Sequence, residues 1–165
     1  MHTPSKLERP AVRLSNAPAI LLVALLMVMI ACGPYSATKE VRVVGDAMAP
    51  TLKDGQLVTV YTGVYSSVAK VRGDIVLFVT NGERIARIIG LPGETIAISG
   101  GAVSIDGVVL SEPYLAPGTQ TSAPQTTYVL AQGGGLFLLD DNRSRRADSR
   151  TLGLVPGWAI EGRIG

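Results

Sequence analysis

Side chains that could do acid–base or nucleophilic chemistry fall mainly in two short segments of this chain. The first, Val44–Asp54, reads V-G-D-A-M-A-P-T-L-K-D and offers the carboxylate of Asp46 and the hydroxyl of Thr51. We expect Asp46 to be solvated and Thr51 to bond within its own turn. The second, Asp140–Arg150, reads D-D-N-R-S-R-R-A-D-S-R and mixes acids with arginines. A guanidinium stays protonated and cannot act as a base, so neither segment contains an evident nucleophile–base pair.

The scarcity of histidine and cysteine excludes two other kinds of catalytic site. The chain has one histidine, His2, and one cysteine, Cys32. Zinc sites need three or four protein ligands, mostly of these two types, and a cysteine protease needs one of each close together. We therefore expect no metal and no cofactor. Lys53 and Lys70 are the only lysines near the segments that could hold an active site.

Short β-strands are the elements that would position these segments. Apolar and β-branched runs alternate with turn signals such as Asn81-Gly82 and Gly100-Gly101, which is typical of antiparallel strands. Nineteen glycines and ten prolines argue against long helices. We predict an all-β domain over residues 41–165, preceded by a tether over residues 32–40. The predicted strands are Glu40–Val44, Gln56–Tyr61, Asp74–Thr80, Glu83–Ile89, Thr95–Ser99, Ala102–Ile105, Val108–Leu110, Tyr128–Ala131, Leu136–Leu139 and Trp158–Ile164.

Residues 1–31 have the pattern of an export segment. Three basic residues precede an apolar run from Ala17 to Ala31, and this order keeps the N-terminus cytoplasmic. The run is shorter than the roughly 20 residues that a spanning helix needs. It ends in M-I-A-C-G, which resembles a bacterial lipobox and implies lipid attachment at Cys32. The alternative is an uncleaved membrane anchor. Both interpretations place the β domain at the extracytoplasmic face of the bacterial cytoplasmic membrane.

The charge of the chain after the export segment is balanced. From Cys32 onward twelve basic residues face twelve acidic ones, so the formal net charge of +2 comes from the residues before it. An electrostatic nucleic-acid binder needs a basic surplus on one face. We therefore expect no nucleic-acid partner.

Four segments, in order along the chain, resemble motifs of type I signal peptidases, the membrane-bound serine proteases that remove signal peptides. Val44–Asp54 with Gly55 is similar to the family's G-x-S-M-x-P-T-L-x-x-G-D, and Arg72–Phe78 to R-G-D-I-V-V-F. Arg84–Glu94 is similar to x-x-K-R-V-I-G-L-P-G-D, and Asp140–Arg150 to G-D-N-R-x-x-S-x-D-S-R. The resemblance runs from about residue 41 to the C-terminus. It implies a signal-peptidase-like β domain of short antiparallel strands.

The resemblance also implies roles for individual positions. In the family a serine attacks the scissile carbonyl, a neutral lysine takes its proton, and a second serine helps to position the lysine. The corresponding positions here are Ala47, Ala86 and Arg146, so no catalytic residue of the family is intact. The residues implied for peptide binding are Gly45, Asp46, Met48 and Pro50. Those implied to tie the last motif to the β framework are Asp141, Arg143, Asp148 and Arg150.

The missing catalytic groups suggest a pseudoenzyme, and the N-terminal segment suggests that it is attached to the membrane. Signal peptidases hold substrate as an added extended strand, and backbone pairing needs neither serine nor lysine. We expect an inactive homologue that binds an extended peptide or preprotein segment, or assists secretion or surface-assembly proteins. Three alternatives stay open. The first is an active signal peptidase that uses an unrecognised dyad. The second is a chain whose serine and lysine were both exchanged for alanine to trap it, against which Arg146 argues. The third is a structural lipoprotein that has lost the groove.

Overall fold

The computed structural model describes residues 37–165, which form two antiparallel β-sheets with little helix. The predicted all-β fold is confirmed. One four-residue α-helix, α1 (Ser149–Leu152), and two 3-10 turns, Val64–Ser66 and Gly157–Ala159, lie within this part of the chain. The strands are β1 (Ala37–Arg42), β2 (Leu57–Thr62), β3 (Ile75–Val79), β4 (Glu83–Gly90), β5 (Thr95–Ser99), β6 (Ala102–Ile105), β7 (Val108–Val109), β8 (Thr127–Val129), β9 (Phe137–Leu139) and β10 (Ile160–Ile164).

The larger sheet has the strand order β1-β2-β10-β3-β4-β9. Its central hairpin joins β3 to β4 through the predicted Asn81-Gly82 turn, with Val79 opposite Glu83 and Ile75 opposite Arg87. Gly82 has a φ of +128°, a conformation that side-chain-bearing residues rarely adopt. The hairpin matters because β4 carries one of the predicted catalytic positions.

The smaller sheet has the order β7-β6-β5-β8. Two tight turns build it, at Gly100-Gly101 and at Asp106-Gly107, and all four of these residues have positive φ. Two-residue hairpin turns of this kind require such backbone conformations, which explains the glycines. Both turns are at their predicted positions.

Three apolar clusters hold the sheets together, and β4 contributes to all of them because its side chains alternate between faces. Ile89 packs in the cluster shared with the smaller sheet. Ala86 and Ile88 pack on one face of the larger sheet, with Phe78 and Leu138. Ile85 packs on the other face, in the cluster that contains Val43, Met48, Leu52 and Val58.

Two features differ from the sequence-based expectation. β1 begins at Ala37, within the predicted tether and before the predicted boundary at residue 41, because Ala37–Lys39 pair with the end of β2. Trp158 lies in a 3-10 turn rather than a strand and is 85% exposed, so it is not a core residue. The predicted export segment and Cys32 lie outside the described residues. Within residues 37–165, no helix has the length and apolar character needed to cross a bilayer.

Candidate active-site groove

A groove of about 360 Å³ lies between the β1 side of the molecule and the first half of β4. Its lining combines apolar side chains with several charged ones. The lining residues are Val41, Arg42, Val43, Val44, Ala47, Met48, Leu77, Glu83, Arg84, Ile85, Asp140, Arg145 and Ala147.

Two strand edges without a sheet partner flank this groove. β1 is the first strand of the larger sheet and pairs only with β2. β4 pairs with β9 from Arg87 onward, so among the described strands the segment Glu83–Ala86 has a partner only on the β3 side. Unpaired strand edges can accept an extended peptide through backbone hydrogen bonds. The arrangement therefore suits a segment that lies along either edge.

A short turn after β1 places Ala47 at the groove. Gly45, with a φ of +81°, begins the turn, and its N–H donates to the Asp54 carboxylate at 2.7 Å. Met48 is buried and anchors the turn in the cluster with Val43. The Ala47 carbonyl accepts a 2.9 Å hydrogen bond from the N–H of Asn142. The turn and the last motif are thus joined directly beside Ala47.

The three predicted catalytic positions do not all line the groove. Ala47 does, whereas Ala86 is fully buried in the core cluster. Arg146 lines a separate cavity instead, and its guanidinium donates to the Ser122 hydroxyl at 2.7 Å. The next residue, Ala147, lines the groove. Ala47 and Ala147 thus line the same groove, whereas Arg146 does not.

Of the four predicted peptide-binding residues, only Met48 lines the groove. The N–H of Gly45 is already bonded to Asp54. Asp46 is exposed, where its carboxylate accepts from the Asn142 amide at 3.2 Å and lies 3.5 Å from the Arg145 guanidinium. Pro50 is exposed outside the groove lining.

Asp141 connects the last motif to β4 through a buried ion pair. The Arg87 guanidinium donates to both Asp141 oxygens, at 2.9 Å and 2.6 Å. Thr51 also donates to Asp141, at 2.5 Å. The expectation that Thr51 bonds within its own turn was therefore wrong. An ionised carboxylate is a stronger acceptor than a backbone carbonyl, and the fold brings this one within reach.

Three further motif residues, Arg143, Asp148 and Arg150, are buried and bonded to their surroundings. Arg143 forms an ion pair with Glu112, in the segment that follows β7. Asp148 caps α1 by accepting from the N–H of Arg150, and it also pairs with the Arg150 guanidinium at 2.7 Å. These contacts fix the loop that carries Arg145 and Ala147 to the groove.

The comparisons with known proteins agree with this architecture. The family model described as signal peptidase, peptidase S26, matches residues 14–165. This chain belongs to that family. It is 36% identical to signal peptidase I of Bacillus amyloliquefaciens, over 95% of this chain and 88% of the relative. It is 33% identical to signal peptidase I of Bacillus licheniformis, over 72% of this chain and 69% of the relative.

A solved structure gives the same result for the fold. The crystal structure of a signal peptidase I from Enterococcus faecalis superposes with a TM-score of 0.51 at 30% identity. The match covers 59% of this chain and 98% of the other. The predicted signal peptidase I resemblance is thus confirmed at the level of family and fold.

Asp140 is the residue of this signal peptidase homologue that the sequence analysis missed. It lines the groove, yet it is only 3% exposed, and its Oδ2 has no hydrogen-bond partner among the described residues. Burial raises the pKa of this carboxyl to about 7, and the neighbouring Asp148 carboxylate adds to the shift. The one sequence signal was that an aspartate stands where the family motif has glycine.

None of the three lysines in residues 37–165 lines the groove. Lys39 bonds Glu83 at 2.9 Å and Glu161 at 2.6 Å. Those hydrogen bonds, first to Glu161 and then to Glu83, raise the lysine pKa, so the amine stays protonated and cannot serve as a base. Lys70 lies over the Tyr65 ring, 5.1 Å from its centre. Lys53 is exposed in the turn.

Proposed function

We propose that this chain is a catalytically inactive signal peptidase I homologue that holds extended peptide segments in the groove between β1 and β4. The observation that carries the proposal is the composition of the groove lining. Ala47 occupies the nucleophile position of the family motif, and no described lining residue carries a hydroxyl, thiol, imidazole or amine. A serine-type acyl transfer needs both a nucleophile and a base within hydrogen-bond reach of it.

The loss of both groups is expected to remove useful proteolysis. Removing the nucleophile or the base of a serine protease lowers kcat by about 10⁴- to 10⁶-fold, and oxyanion donors with substrate binding leave only a small residual rate. Ala86, at the base position, is buried among apolar side chains and offers no proton acceptor. Backbone donors of the turn remain, but they have no attacking atom to assist.

The unpaired strand edges and the apolar lining of the groove support peptide binding, and neither depends on the catalytic groups. The edge of β1 and the first half of β4 can each pair with an extended backbone. Met48, Leu77 and Ile85 give the groove an apolar floor, and Val44 at its rim is 87% exposed. An apolar, extended client, such as a preprotein segment, fits this surface. The bound segment would belong to a protein that is being secreted or assembled at the cell surface.

We further propose that the domain works at the extracytoplasmic face of the cytoplasmic membrane. The basic and apolar pattern of residues 1–31 and the lipobox-like Cys32 support this placement. The exposed Trp158 ring supports it as well, because an indole on the surface suits a membrane–water interface.

An active peptidase with an unrecognised dyad is the second candidate, and one observation favours it. Asp140 lines the groove with a pKa of about 7, and a general base works best when its pKa lies near the working pH. An active enzyme would still need a hydroxyl or thiol beside it, which the described lining does not include.

Two assays on the full-length chain separate these candidates. The first measures cleavage of a fluorogenic Ala-x-Ala peptide, and the second measures polarisation of a labelled, uncleaved peptide of the same sequence. We expect no turnover above background, together with saturable binding. Turnover that scales with protein concentration would overturn the inactive assignment.

A matched pair of variants locates the binding. Ala47→Phe fills the groove and should abolish binding. Ala131→Phe, on an exposed position outside the groove, should leave binding unchanged. Absence of binding by the wild-type chain would favour a structural protein without a working groove.

A further inference from the structure

We propose that the end of the groove beside Ala47 is a carboxylate-binding site, in which Arg84 pairs with the C-terminal carboxylate or an acidic side chain of the held peptide. This inference rests on the proposed function, since it assigns chemistry to the segment that the groove would hold. It concerns Arg84 and Asp140, two groove residues with no role in the family's catalytic motifs.

The charged side chains of the groove leave a surplus of positive charge. Arg42, Arg84 and Arg145 face two acids, Glu83 and Asp140. The Glu83 carboxylate accepts from Lys39 at 2.9 Å, an amine that it shares with Glu161. The groove thus presents guanidinium groups that could bind an anionic ligand.

Arg84 is the best placed of these groups. It is half-buried, and its Nη1 donates to the Ala147 carbonyl at 2.7 Å, next to the small side chains of Ala47 and Ala147 that line the groove. No described carboxylate lies within ion-pair distance of it. A guanidinium has five N–H donors in a planar fork that matches a carboxylate. The remaining N–H groups of Arg84 can therefore donate to both oxygens of a ligand carboxylate.

The two other arginines are less available. Arg42 is exposed and donates to the Gly55 carbonyl at 2.7 Å. Arg145 lies 3.5 Å from the carboxylate of Asp46, in a pair that is more than half exposed on both sides. Exposed pairs of this kind contribute little and are screened by salt. They add to the positive field but do not define the binding geometry.

Asp140 makes the site sensitive to pH. Its carboxyl faces Asp148 and Arg150 around α1, Arg84 on β4, and Arg145 on its own loop, and burial dominates the rise of its pKa to about 7. Below that pH the carboxyl is neutral and does not repel a ligand carboxylate bound to the nearby Arg84. Above it, two like charges would repel. Carboxylate binding should therefore weaken as the pH rises through 7.

Polarisation binding of matched peptides to the full-length chain tests the site. One pair has the same apolar sequence ending in a free carboxylate or in an amide. The other pair is amidated and carries Asp or Asn at one internal position. We expect about a 10-fold preference for the anionic member of at least one pair at pH 6, which corresponds to about 1.4 kcal/mol. The pair that shows the preference identifies the source of the carboxylate.

Variants distinguish a specific site from a general positive field. Arg84→Gln should reduce the preference to near unity while the amidated apolar peptide still binds, which also shows that the variant is folded. Arg163→Gln removes an exposed guanidinium on β10, outside the groove, and should keep the full preference. Asp140→Asn should bind the anionic peptide equally at pH 6 and pH 8.5.

Each negative result of these binding experiments contradicts a different part of the proposal. Equal binding within both wild-type peptide pairs would overturn the carboxylate site and leave peptide holding intact. A preference that survives Arg84→Gln would overturn the role of Arg84. Absence of binding by every peptide would overturn both this inference and the proposed function.

Discussion

Ala86 on β4 and Asp140 after β9 directly adjoin Arg87 and Leu139, the last residues that the two strands pair. If the register continued by one residue, Ala86 and Asp140 would lie opposite each other, and directly opposite residues of antiparallel strands have Cβ atoms about 5 Å apart. The family motifs have lysine and glycine at these two positions. This chain has a methyl and a buried carboxyl.

This relationship predicts that restoring the dyad alone will not restore proteolysis. A lysine introduced at position 86 would meet Asp140, and an opposite charge at this distance raises a lysine pKa by about 1–3 units. The amine would stay protonated and could not accept a proton. We expect the variant Ala47→Ser with Ala86→Lys to gain at least about 10-fold in rate when Asp140→Gly is added. Initial rates on a fluorogenic Ala-x-Ala peptide measure this.

Arg146→Ser belongs in the same series, because it returns the supporting hydroxyl. The control carries Asp140→Gly and Arg146→Ser with Ala47 retained, and it should stay at background. Equal rates with and without Asp140→Gly would show that the carboxyl does not reach the restored amine.

The buried carboxyl also predicts an unusual dependence of stability on pH. The pKa of Asp140 is raised from 3.8 to about 7 in the folded protein, so the folded state binds the extra proton between these values. Stability linked to this group should therefore fall as the pH rises from about 4 to about 7 and then level off. Asp140→Asn should remove that fall.

Denaturant unfolding of both proteins at pH 5 and pH 8 checks the sign. Relative to the wild type, Asp140→Asn should be more stabilising at pH 8 than at pH 5, by on the order of 2 kcal/mol, since each pKa unit corresponds to about 1.4 kcal/mol. A difference between the two proteins that is constant across this range would contradict the raised pKa.

The fold was largely predictable from local sequence signals. Asn81-Gly82 and Asp106-Gly107 marked hairpin turns because few residues tolerate positive φ. The apolar runs around them gave the strands. The start of β1 at Ala37 was missed because Ala37–Lys39 carry no apolar pattern, and their strand conformation depends on pairing with β2. Trp158 was ambiguous because an aromatic residue next to a strand can face the core or solvent.

The site was less predictable, because it depends on which side chains converge. The motifs singled out Ala47, which lines the groove, but sequence alone could not show that Arg146 donates to Ser122 while Ala147 lines the groove. Burial decides the chemistry of Asp140, and burial is a property of the folded chain. Arg84 gave no signal at all, since its position in the family motif is not restricted.

The buried ion pairs of the last motif predict a large effect on stability. Asp148 and Arg150 are both fully buried as side chains and pair at 2.7 Å. Asp148→Ala would leave Arg150 as an uncompensated buried charge and remove the cap of α1. We expect a loss of about 3–5 kcal/mol, measured by denaturant unfolding.

The exposed pair of Lys39 and Glu83 serves as the control for this effect. Lys39→Ala should cost less than about 1 kcal/mol, because solvent screens the charges. Similar losses for the two variants would mean that the buried pair contributes no more than a surface one.

Lipid attachment at Cys32 is testable in the living cell. If the lipobox-like sequence is processed, labelled palmitate should be incorporated into the wild-type protein and not into Cys32→Ser. Thr38→Ser, close by on β1, provides a conservative control that should keep the label. Labelling of the Cys32→Ser protein would exclude this cysteine as the attachment site.

Arg87, on β4 of the larger sheet, contacts three separate connecting segments. It pairs with Asp141 after β9, donates to the Gly73 carbonyl before β3 at 2.8 Å, and lies under the Tyr114 ring, 3.9 Å from its centre, in the segment after β7. The two sheets also share a buried apolar cluster, so unfolding of either sheet would expose apolar surface of the other. The domain should consequently denature as a single cooperative unit, with tertiary and secondary structure signals disappearing in one coincident transition.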